Sequence, residues 1–556
     1  MGSRRLAAHV FPGQRHLSVR QTATRAQQER VFAAEEPPVL LDSDKHAVGY
    51  LSSILNARVY DVAYETPLQH ARSLSKALEN NILLKREDMQ PVHSFKIRGA
   101  YNKMVQLPQS QLDLGVVACS AGNHAQGVAL SAAQLGCRAV IVMPLATPRI
   151  KVDAVRAFGG LTTEVVLHGN NYDEAAAEAQ RFQKEQGLEM IHPFDDPAVI
   201  AGQGTVGAEI LKQTTSRELD AIFVCCGGGG MLAGVAAYVK RVRPLVKVIG
   251  VEAEDAAGMT ASLAAGQVVT LPSVGLFADG AAVRTVGQET FRVCSQLVDG
   301  MVTVTTDELC AAIKNGFEDT RCVFEPAGAL GIAGAKKYLQ DNHMLGSTVV
   351  AVTSGANIDF DRLRFVSERA DSTETLLSVR IPERPGAFRD LYSVIAPRNV
   401  TEFSYRYNTA KRADVIISFQ AKGNGAEKLR DKQQVIQELE DCGYGVSNLD
   451  NDELGKVHLR HLAGGRPPPG AVLNEQLYRF QFPEAPGALS RFLNSLNKGW
   501  DVSLFHYRSH GDDFGRVLVG ILVSPTEEEQ FNSFLQELGY EYHREGDNPL
   551  YDQFLR

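Results

Sequence analysis

The sequence predicts an α/β protein with parallel sheets over about residues 40–370, followed by a smaller α+β region. Two observations lead to this prediction. In the first region, short apolar segments alternate with longer Ala-rich segments of helical period, a pattern typical of parallel strands covered by helices. After about residue 372 this alternation stops, and one strand–turn–helix pattern occurs twice. With 556 residues the chain is long enough to form several hydrophobic cores.

The predicted strands of the first region are short and almost wholly apolar. They are Asn81–Lys85, Val116–Cys119, Ala139–Met143, Ala221–Cys225, Val248–Val251 and Val349–Val352. Helical period between them predicts the helices His124–Gln134, Tyr172–Gln186 and Thr205–Gln213. Several strands run directly into glycine-rich or polar turns. Because ligands of open α/β sheets bind at the carboxyl ends of the strands, we expect the functional site at these turns.

The C-terminal region contains an internal repeat. The strand-like segments Ser378–Ile381 and Leu477–Phe482 lead into the matching turns Ile381-Pro-Glu-Arg-Pro-Gly-Ala-Phe388 and Phe482-Pro-Glu-Ala-Pro-Gly-Ala-Leu489. Each turn is followed by an amphipathic segment and then by an aromatic one, residues 402–407 and 503–508. Agreement over turn, helix and strand favours a duplicated β-α-β unit over a coincidence in one turn. Residues 464–470, rich in Gly and Pro, indicate a linker.

Charge and composition exclude several classes of protein. The net charge of −8 gives no electrostatic reason to expect nucleic acid or a membrane as partner. The eight cysteines form no C-x-x-C pair, so neither a zinc site nor a disulfide framework is predicted. Residues 1–28 contain no Asp or Glu but five Arg. This composition is typical of an organelle transit peptide, and the alternative is a disordered tail or an expression remnant.

The first candidate site residue is Lys96, in the segment Ser94-Phe-Lys-Ile-Arg-Gly-Ala100. A strand is predicted to end near Lys85, and a helix is predicted to begin near Ser94. Lys96 then lies in the first helical turn, where the helix dipole and a dry environment would lower its pKa and favour a nucleophilic amine. The alternative is a solvated surface lysine.

Three further segments follow predicted strands. Ser120-Ala-Gly-Asn-His-Ala-Gln-Gly127 opens a helix whose free N–H groups suit a carboxylate, although Ser120 or Asn123 could simply cap that helix. Cys226-Gly-Gly-Gly-Gly-Met231 predicts a backbone cradle for a single phosphate, since it lacks the spacing of ATP or NAD motifs. Thr353-Ser-Gly-Ala-Asn357 ends the last strand. Glu252 and Glu254 also follow a strand, but a solvated strand end is the simpler interpretation, and we predict no metal site.

Together these motifs resemble the fold-type-II pyridoxal-phosphate enzymes, the tryptophan-synthase-β-like group, and within it biosynthetic threonine ammonia-lyase. The resemblance spans about residues 45–556, with the motifs in family order. It implies a two-lobed catalytic domain with parallel sheets and two ACT-like regulatory domains. The predicted division is 1–38 for the transit peptide or tail, 39–370 for the catalytic domain, and 373–455 and 474–550 for the ACT-like domains. His93 departs from the family, which usually has an aromatic residue there.

The resemblance also implies the role of each site residue. Lys96 would carry pyridoxal 5′-phosphate covalently and act as the catalytic base. The backbone N–H groups of Gly227, Gly228, Gly229, Gly230 and Met231 would bind the cofactor phosphate. Phe95 would pack on the cofactor ring, Asn123 would contact its phenolic oxygen, and Ser354 would face its pyridine nitrogen. Ser120 and His124 would lie at the substrate carboxylate.

The implied reaction is the deamination of L-threonine to 2-oxobutanoate and ammonia, the first step of isoleucine biosynthesis. The enzymatic alternative is L-serine dehydratase or serine racemase activity at the same site. The non-enzymatic alternatives are an amino-acid-sensing pseudoenzyme and a structural protein. Isoleucine would inhibit and valine would oppose it. The candidate effector contacts are Tyr405, Arg406, Tyr507 and Arg508. The alternative is that these four are only structural strand residues. A homotetramer in equilibrium with dimers is expected, in a plastid or alternatively a mitochondrion.

Overall fold

A computed structural model describes residues 45–214, 218–370, 374–382, 387–396, 398, 400–405, 412–423, 426–450, 452–459, 474–483, 492, 495, 500–508 and 514–555. The predicted transit peptide, the linker at 464–470 and most of the amphipathic segment predicted after the second turn lie outside these residues. Among the described residues, none of the helices has both the length and the apolarity needed to cross a bilayer.

The helices and strands up to residue 370 alternate as predicted. The helices are α1 Lys45–Leu55, α2 Arg72–Leu78, α3 Lys96–Met104, α4 Gln109–Leu114, α5 Asn123–Leu135, α6 Arg149–Gly159, α7 Tyr172–Gln186, α8 Pro197–Gln213, α9 Gly230–Val242, α10 Gly258–Ala265, α11 Gln288–Leu297, α12 Thr306–Thr320, α13 Pro326–Asp341 and α14 Arg362–Arg369. The strands are β1 Leu68–His70, β2 Asn81–Lys85, β3 Val116–Cys119, β4 Ala139–Met143, β5 Thr163–Leu167, β6 Glu189–Met190, β7 Ala221–Cys225, β8 Lys247–Ala253, β9 Gly300–Val304 and β10 Thr348–Val352.

These strands form two sheets, which define a large and a small lobe. The large-lobe sheet has the order β1-β2-β10-β7-β8-β9, with every neighbouring pair parallel except the short antiparallel edge strand β1. The small-lobe sheet has the order β5-β4-β3-β6 and is parallel throughout. Strands β3, β4 and β7 are buried at every position. Burial of both faces explains why their sequences are continuous apolar segments.

The C-terminal region contains two sheets of identical topology, as the repeat predicts. The first consists of β11 Glu374–Pro382, β12 Val400–Tyr405, β13 Arg412–Gln420 and β14 Gly445–Asn448. The second consists of β15 Glu475–Pro483, β16 Asp501–Arg508, β17 Phe514–Leu522 and β18 Glu541–Arg544. Their orders, β12-β13-β11-β14 and β16-β17-β15-β18, correspond strand for strand, and all pairs are antiparallel. Even the register shift recurs, between Val400 and Glu402 and between Val502 and Leu504.

The two C-terminal sheets share one apolar core. Leu376 and Ile416 of the first sheet pack in a single cluster with Leu477 and Leu518 of the second. The helices of this region are α15 Ala387–Ile395, α16 Ala426–Asp441, α17 Glu453–Val457 and α18 Glu528–Leu538. The strands β13, β14, β17 and β18 and the helices α16 and α18 complete each unit beyond the β-α-β pattern that the sequence predicted.

Candidate active site

Lys96 is the first residue of α3, in the first helical turn as predicted. Its side chain is half-buried, and Nζ donates a hydrogen bond to the carbonyl oxygen of Pro193 at 2.9 Å. The ring centroid of Phe95 lies 5.4 Å from the same nitrogen. Burial lowers the pKa of the amine to about 8, against the opposing charges of Cys225 and Glu325. The interpretation of Lys96 as a solvated surface lysine is therefore wrong, and burial is the cause of the lowered pKa.

A buried ionic network fixes the helix that carries Lys96. Arg98 donates through Nε to Glu87 at 2.7 Å and through Nη1 to Glu209 at 2.6 Å. Lys85, at the end of β2, donates to the other oxygen of Glu209 at 2.5 Å. All four side chains are buried. The network joins α3 to β2 and to α8, and removing one partner would leave a buried charge uncompensated.

The glycine loop follows β7 and opens α9. Gly229 has a φ of +94°, in the region that favours glycine, and a methyl group on Gly228 would lie 2.2 Å from the ring of Phe194. Within the described part of the chain, the backbone N–H groups of residues 227–231 donate to no protein acceptor. Five donors are therefore available at a helix N-terminus, the arrangement that binds phosphate. Lys96 contacts Pro193, and the loop lies against the next residue, Phe194, so the loop and Lys96 are close together.

Ser354 follows β10, the neighbour of β7 in the sheet. Its side chain is buried, and Oγ donates to the carbonyl oxygen of Ala327 at 3.2 Å. Its own carbonyl oxygen accepts from the backbone N–H of Phe95 at 3.2 Å, so the end of β10 touches the residue before Lys96. The thiol of Cys225 also contacts the Ser354 side chain, and burial raises the pKa of that thiol to about 11.

The start of α5 brings together the predicted residues Ser120, Asn123 and His124. The N-cap is Gly122, without a side-chain cap, so the alternative that Ser120 or Asn123 caps this helix is wrong. Ser120 Oγ accepts from the N–H of Gly122 at 3.3 Å. The Asn123 amide donates to Glu325 at 2.6 Å. Neither contact caps a backbone N–H group of the first turn of α5.

The imidazole of His124 is buried and neutral. Its Nε2 lies 2.7 Å from the carbonyl oxygen of Ile191, and its Nδ1 has no partner among the described residues. Burial, followed by the nearby charge of Lys96, lowers the pKa of His124 to about 3. With Nε2 donating to Ile191, Nδ1 can only accept. The ring therefore offers no charge to a carboxylate, and only the backbone N–H of His124 is suited to that role.

Glu325 is a site residue that the sequence did not predict. It immediately precedes Pro326, the first residue of α13, and its side chain is buried. Burial raises the pKa of its carboxyl to about 7, and the negative charge of Asp279 adds to the rise. The signal in the sequence was a lone glutamate before a helix-initiating proline, which ordinarily marks only a helix N-terminus.

One further position, Glu252, differs from expectation. Glu252 is buried rather than solvated: it accepts from the N–H groups of Met259 and Thr260 at 2.8 and 2.9 Å and thereby binds the start of α10. Glu254 is exposed. The side chain of His93 is exposed and its φ is +53°, a conformation that histidine adopts more readily than most residues. The described residues contain no cluster of three groups able to hold a metal ion.

The candidate effector residues occupy matching strands. Tyr405 pairs with Val415 on β12 and β13, and Tyr507 pairs with Val517 on β16 and β17, at equivalent places in the two sheets. Arg508 ends β16. Arg406 lies outside the described residues. Only the strand positions of these residues follow from the structure, so their contact with an effector stays a prediction.

Comparison with known proteins decides the family. A family model described as "Pyridoxal-phosphate dependent enzyme" matches residues 59–355. A second, described as "C-terminal regulatory domain of Threonine dehydratase", matches residues 367–459 and 470–555. The biosynthetic L-threonine dehydratase IlvA of Burkholderia multivorans is 53% identical over 509 residues, which are 91% of this chain and 99% of that one. The chain belongs to the biosynthetic threonine dehydratase family.

Other members of the threonine dehydratase family extend the likeness. Threonine dehydratase 1 of Solanum lycopersicum, named biosynthetic and chloroplastic, is 50% identical over 541 residues, covering 97% of this chain and 87% of that one. The solved processed form of threonine deaminase isoform 2 from the same organism matches with a TM-score of 0.57 and 50% identity, covering 59% of this chain and 89% of that chain. The predicted fold class and dependence on pyridoxal phosphate are confirmed.

The residues present fit the cofactor of the threonine dehydratase family. The cofactor needs donors for a phosphate and a primary amine that can lose its proton. The loop at residues 227–231 supplies the free N–H groups, and Lys96 supplies a buried amine of lowered pKa. Among the described residues Lys96 forms no ion pair with a carboxylate. The amine is therefore free to react rather than held in a salt bridge.

Proposed function

We propose that this chain deaminates L-threonine to 2-oxobutanoate and ammonia, the first step of isoleucine biosynthesis. The observation that carries the proposal is the buried amine of Lys96, held beside the glycine loop through Pro193 and Phe194. The relatives that align with nearly the whole chain are named threonine dehydratases, and the match includes the regulatory region. A regulated carbon–nitrogen lyase that acts on a small hydroxy-amino acid accounts for both the catalytic and the regulatory region.

When bound, the cofactor supplies an electron sink for the negative charge that develops on the substrate Cα. Lys96 takes the Cα proton, for which its pKa near 8 is suitable, since an effective base titrates close to the working pH. The β-hydroxyl group then leaves with a proton as water, so that elimination removes one Cα hydrogen and one hydroxyl group overall. The enamine product takes up water and releases ammonia, which yields 2-oxobutanoate.

We assign the substrate carboxylate to the start of α5. Ser120 offers a hydroxyl group there. The backbone N–H groups of the first turn, from His124 onward, lie at the positive end of the helix dipole. Because the imidazole of His124 is neutral, these backbone groups rather than the ring would hold the carboxylate. Phe95 would pack on the cofactor ring, and Ser354 would face the pyridine nitrogen, where a hydroxyl leaves that nitrogen largely unprotonated.

The C-terminal region would regulate this reaction. We propose two ACT-like units, at 373–455 and 474–550, attached to a catalytic domain at 39–370. Isoleucine would bind near Tyr405, Arg406, Tyr507 and Arg508 and inhibit, and valine would oppose it. Allosteric inhibition requires isoleucine to bind the less active state more tightly.

The location and assembly of the chain are also proposals. Residues 1–38 would direct the chain to a plastid, with a mitochondrion as the alternative, since a relative in Solanum lycopersicum is named chloroplastic and two yeast relatives are named mitochondrial. We expect a homotetramer in equilibrium with dimers. Fusion of residues 1–44 to a fluorescent reporter tests the first expectation, and sedimentation of the purified chain tests the second.

The test of the proposed function is product formation by the purified protein. We expect 2-oxobutanoate from L-threonine at a higher kcat/KM than pyruvate from L-serine, and inhibition by isoleucine. A preference for L-serine, or formation of D-serine, would replace the proposal with the dehydratase or racemase alternative. A flat isoleucine titration would contradict the regulatory part alone.

A further inference from the structure

Two side chains hold the amide of Asn123 from opposite sides. Glu325 Oε1 accepts a hydrogen bond from Asn123 Nδ2 at 2.6 Å. On the other side, Asn357 Nδ2 donates to Asn123 Oδ1 at 2.7 Å. Asn123 begins α5 in the small lobe, whereas Glu325 and Asn357 flank α13 and β10 of the large lobe. The amide of Asn123 is therefore a fixed contact between the two lobes.

A backbone carbonyl sets the direction of this chain of hydrogen bonds. Asn357 Nδ2 also donates to the carbonyl oxygen of Val92 at 2.8 Å, and that oxygen can only accept. The nitrogen of Asn357 must therefore face both Val92 and Asn123, which requires the oxygen of Asn123 to face it in return. Asn123 Nδ2 then faces Glu325. Since an amide nitrogen carries two hydrogens, one N–H group of this half-buried residue stays available.

The loop that carries Asn357 is itself held by backbone hydrogen bonds. Ala356 N donates to the carbonyl oxygen of His93 at 2.9 Å, and Glu325 N donates to that of Gly355 at 3.2 Å. These bonds join the loop to the segment before Lys96 and to the start of α13. The two groups that hold Asn123 therefore have little freedom to move relative to each other.

The carboxyl of Glu325 can accept from Asn123 in either charge state. Burial raises its pKa to about 7, and the hydrogen bond from Asn123 opposes that rise. A protonated carboxyl keeps a carbonyl oxygen that accepts, so neutralisation does not break the contact. Glutamine, the uncharged isostere of the protonated acid, offers the same acceptor.

We propose that Glu325 and Asn357 are positioning residues, which aim the free N–H group of Asn123 at the phenolic oxygen of the bound cofactor. This inference rests on the proposed contact between Asn123 and the cofactor. A donor that is fixed in advance stabilises negative charge on that oxygen without reorienting when the cofactor binds. An unrestrained amide could instead turn its own oxygen towards the cofactor, where two acceptors would repel each other.

The test compares Glu325→Gln, Glu325→Ala and Asn357→Asp in the full-length protein. Two readouts need no turnover: the dissociation constant for pyridoxal phosphate and the visible absorbance maximum of the bound cofactor. We expect Glu325→Gln to match the wild type in both. Glu325→Ala and Asn357→Asp should shift the maximum and weaken cofactor binding by about tenfold, the loss expected for one hydrogen bond to a charged group.

Asn80→Asp is the matched control for a buried amide outside the site. Asn80 Nδ2 donates to the carbonyl oxygens of Leu78 and Met344 at 2.6 and 2.9 Å. We expect this variant to lower the melting temperature and leave the absorbance maximum unchanged, as a purely structural role would.

Three outcomes would overturn the positioning role. In the first, Glu325→Gln fails together with Glu325→Ala, which would assign the function to the ionisable proton. In the second, Glu325→Ala and Asn357→Asp keep the wild-type absorbance and affinity. In the third, Asn80→Asp shifts the maximum as far as Asn357→Asp does. A wild-type chain that binds the cofactor but leaves L-threonine unchanged would contradict the proposed function alone, and the absorbance comparison would still decide the role of Glu325 and Asn357.

Discussion

A lysine that reacts as a nucleophile must lose its proton near neutral pH, and the surroundings of Lys96 make this possible. Among the described residues the amine donates to one acceptor, the uncharged carbonyl of Pro193, so little stabilises its positive charge. The negative charge of Glu325 acts in the opposite direction without restoring the ordinary pKa. A salt bridge of the kind that Lys85 makes with Glu209 would have held the proton on the amine.

The pKa of Lys96 predicts how fast the apoenzyme captures its cofactor as pH changes. Only the neutral amine attacks, and a pKa of about 8 instead of 10.5 shifts its titration downward. The rate of covalent attachment should rise about tenfold per pH unit below that pKa and become constant above about pH 9. Stopped-flow absorbance after mixing apoenzyme with pyridoxal phosphate measures this rate. The control is free lysine with its α-amino group blocked, so that only the side-chain amine reacts. A rate that keeps rising to about pH 10, as the control should, would contradict the lowered pKa.

At the scale of the element, the site is built from strand ends. The strands β3, β7 and β10 end at the start of α5, at the glycine loop and at Ser354, so parallel topology collects three turns that are far apart in the chain. This explains why the sequence predicted the location of the site. Strands buried on both faces are continuous apolar segments, and the bounds predicted for β2, β3, β4 and β7 are those observed.

Other elements could not be predicted from their own sequence signal. The first half of α8 was missed although Asp196 caps it and Pro197 begins it, because its Gly and Ala residues carry little helical period. The strand β14 has only one partly buried residue and gives no apolar pattern. Glu325 was missed because only tertiary packing shows that it meets Asn123, about 200 residues earlier in the chain.

Gly228→Ala tests the glycine loop as an element. The added methyl group would lie 2.2 Å from the Phe194 ring, so the loop must move and its N–H groups lose their common direction. We expect the dissociation constant for pyridoxal phosphate to increase by at least about tenfold, equivalent to one or two lost phosphate hydrogen bonds. Gly300→Ala is the control, because its methyl group would meet only Ile249, at 3.6 Å. Unchanged cofactor affinity in folded Gly228→Ala would show that the loop does not bind the phosphate.

At the scale of the whole molecule, charged residues join the catalytic and regulatory regions. Asp307, in the first turn of α12, accepts from Arg369 at 3.1 Å and from Lys456 of α17 at 2.6 Å. Arg369 also donates to Glu453 of α17 at 2.6 Å. The ring of Phe365 lies 4.7 Å from the guanidinium carbon of Arg369. Charged contacts therefore connect the helix α17 of the regulatory region with α12 and α14.

Asp307→Asn should weaken that coupling. The variant removes the charge that Arg369 and Lys456 share, so the two regions should respond to each other less. We expect about threefold or more isoleucine to be needed for half-inhibition, in the range by which single contacts modulate coupling. Basal activity should stay within about twofold, because Asp307 lies outside the catalytic site. Glu178→Gln, which breaks an ion pair with Arg181 on α7, is the control. An unchanged isoleucine titration in Asp307→Asn would exclude this contact from the regulatory path.

The most direct measurement is 2-oxobutanoate formation from L-threonine by the purified wild-type protein and by Lys96→Ala, each saturated with pyridoxal phosphate. We expect steady turnover by the wild type. In Lys96→Ala, removal of both the covalent attachment point and the base should lower kcat by at least about a thousandfold. Circular dichroism should show that the variant is folded. Turnover by folded Lys96→Ala at the wild-type rate, or none by the cofactor-loaded wild type, would contradict the assignment of this chemistry to Lys96.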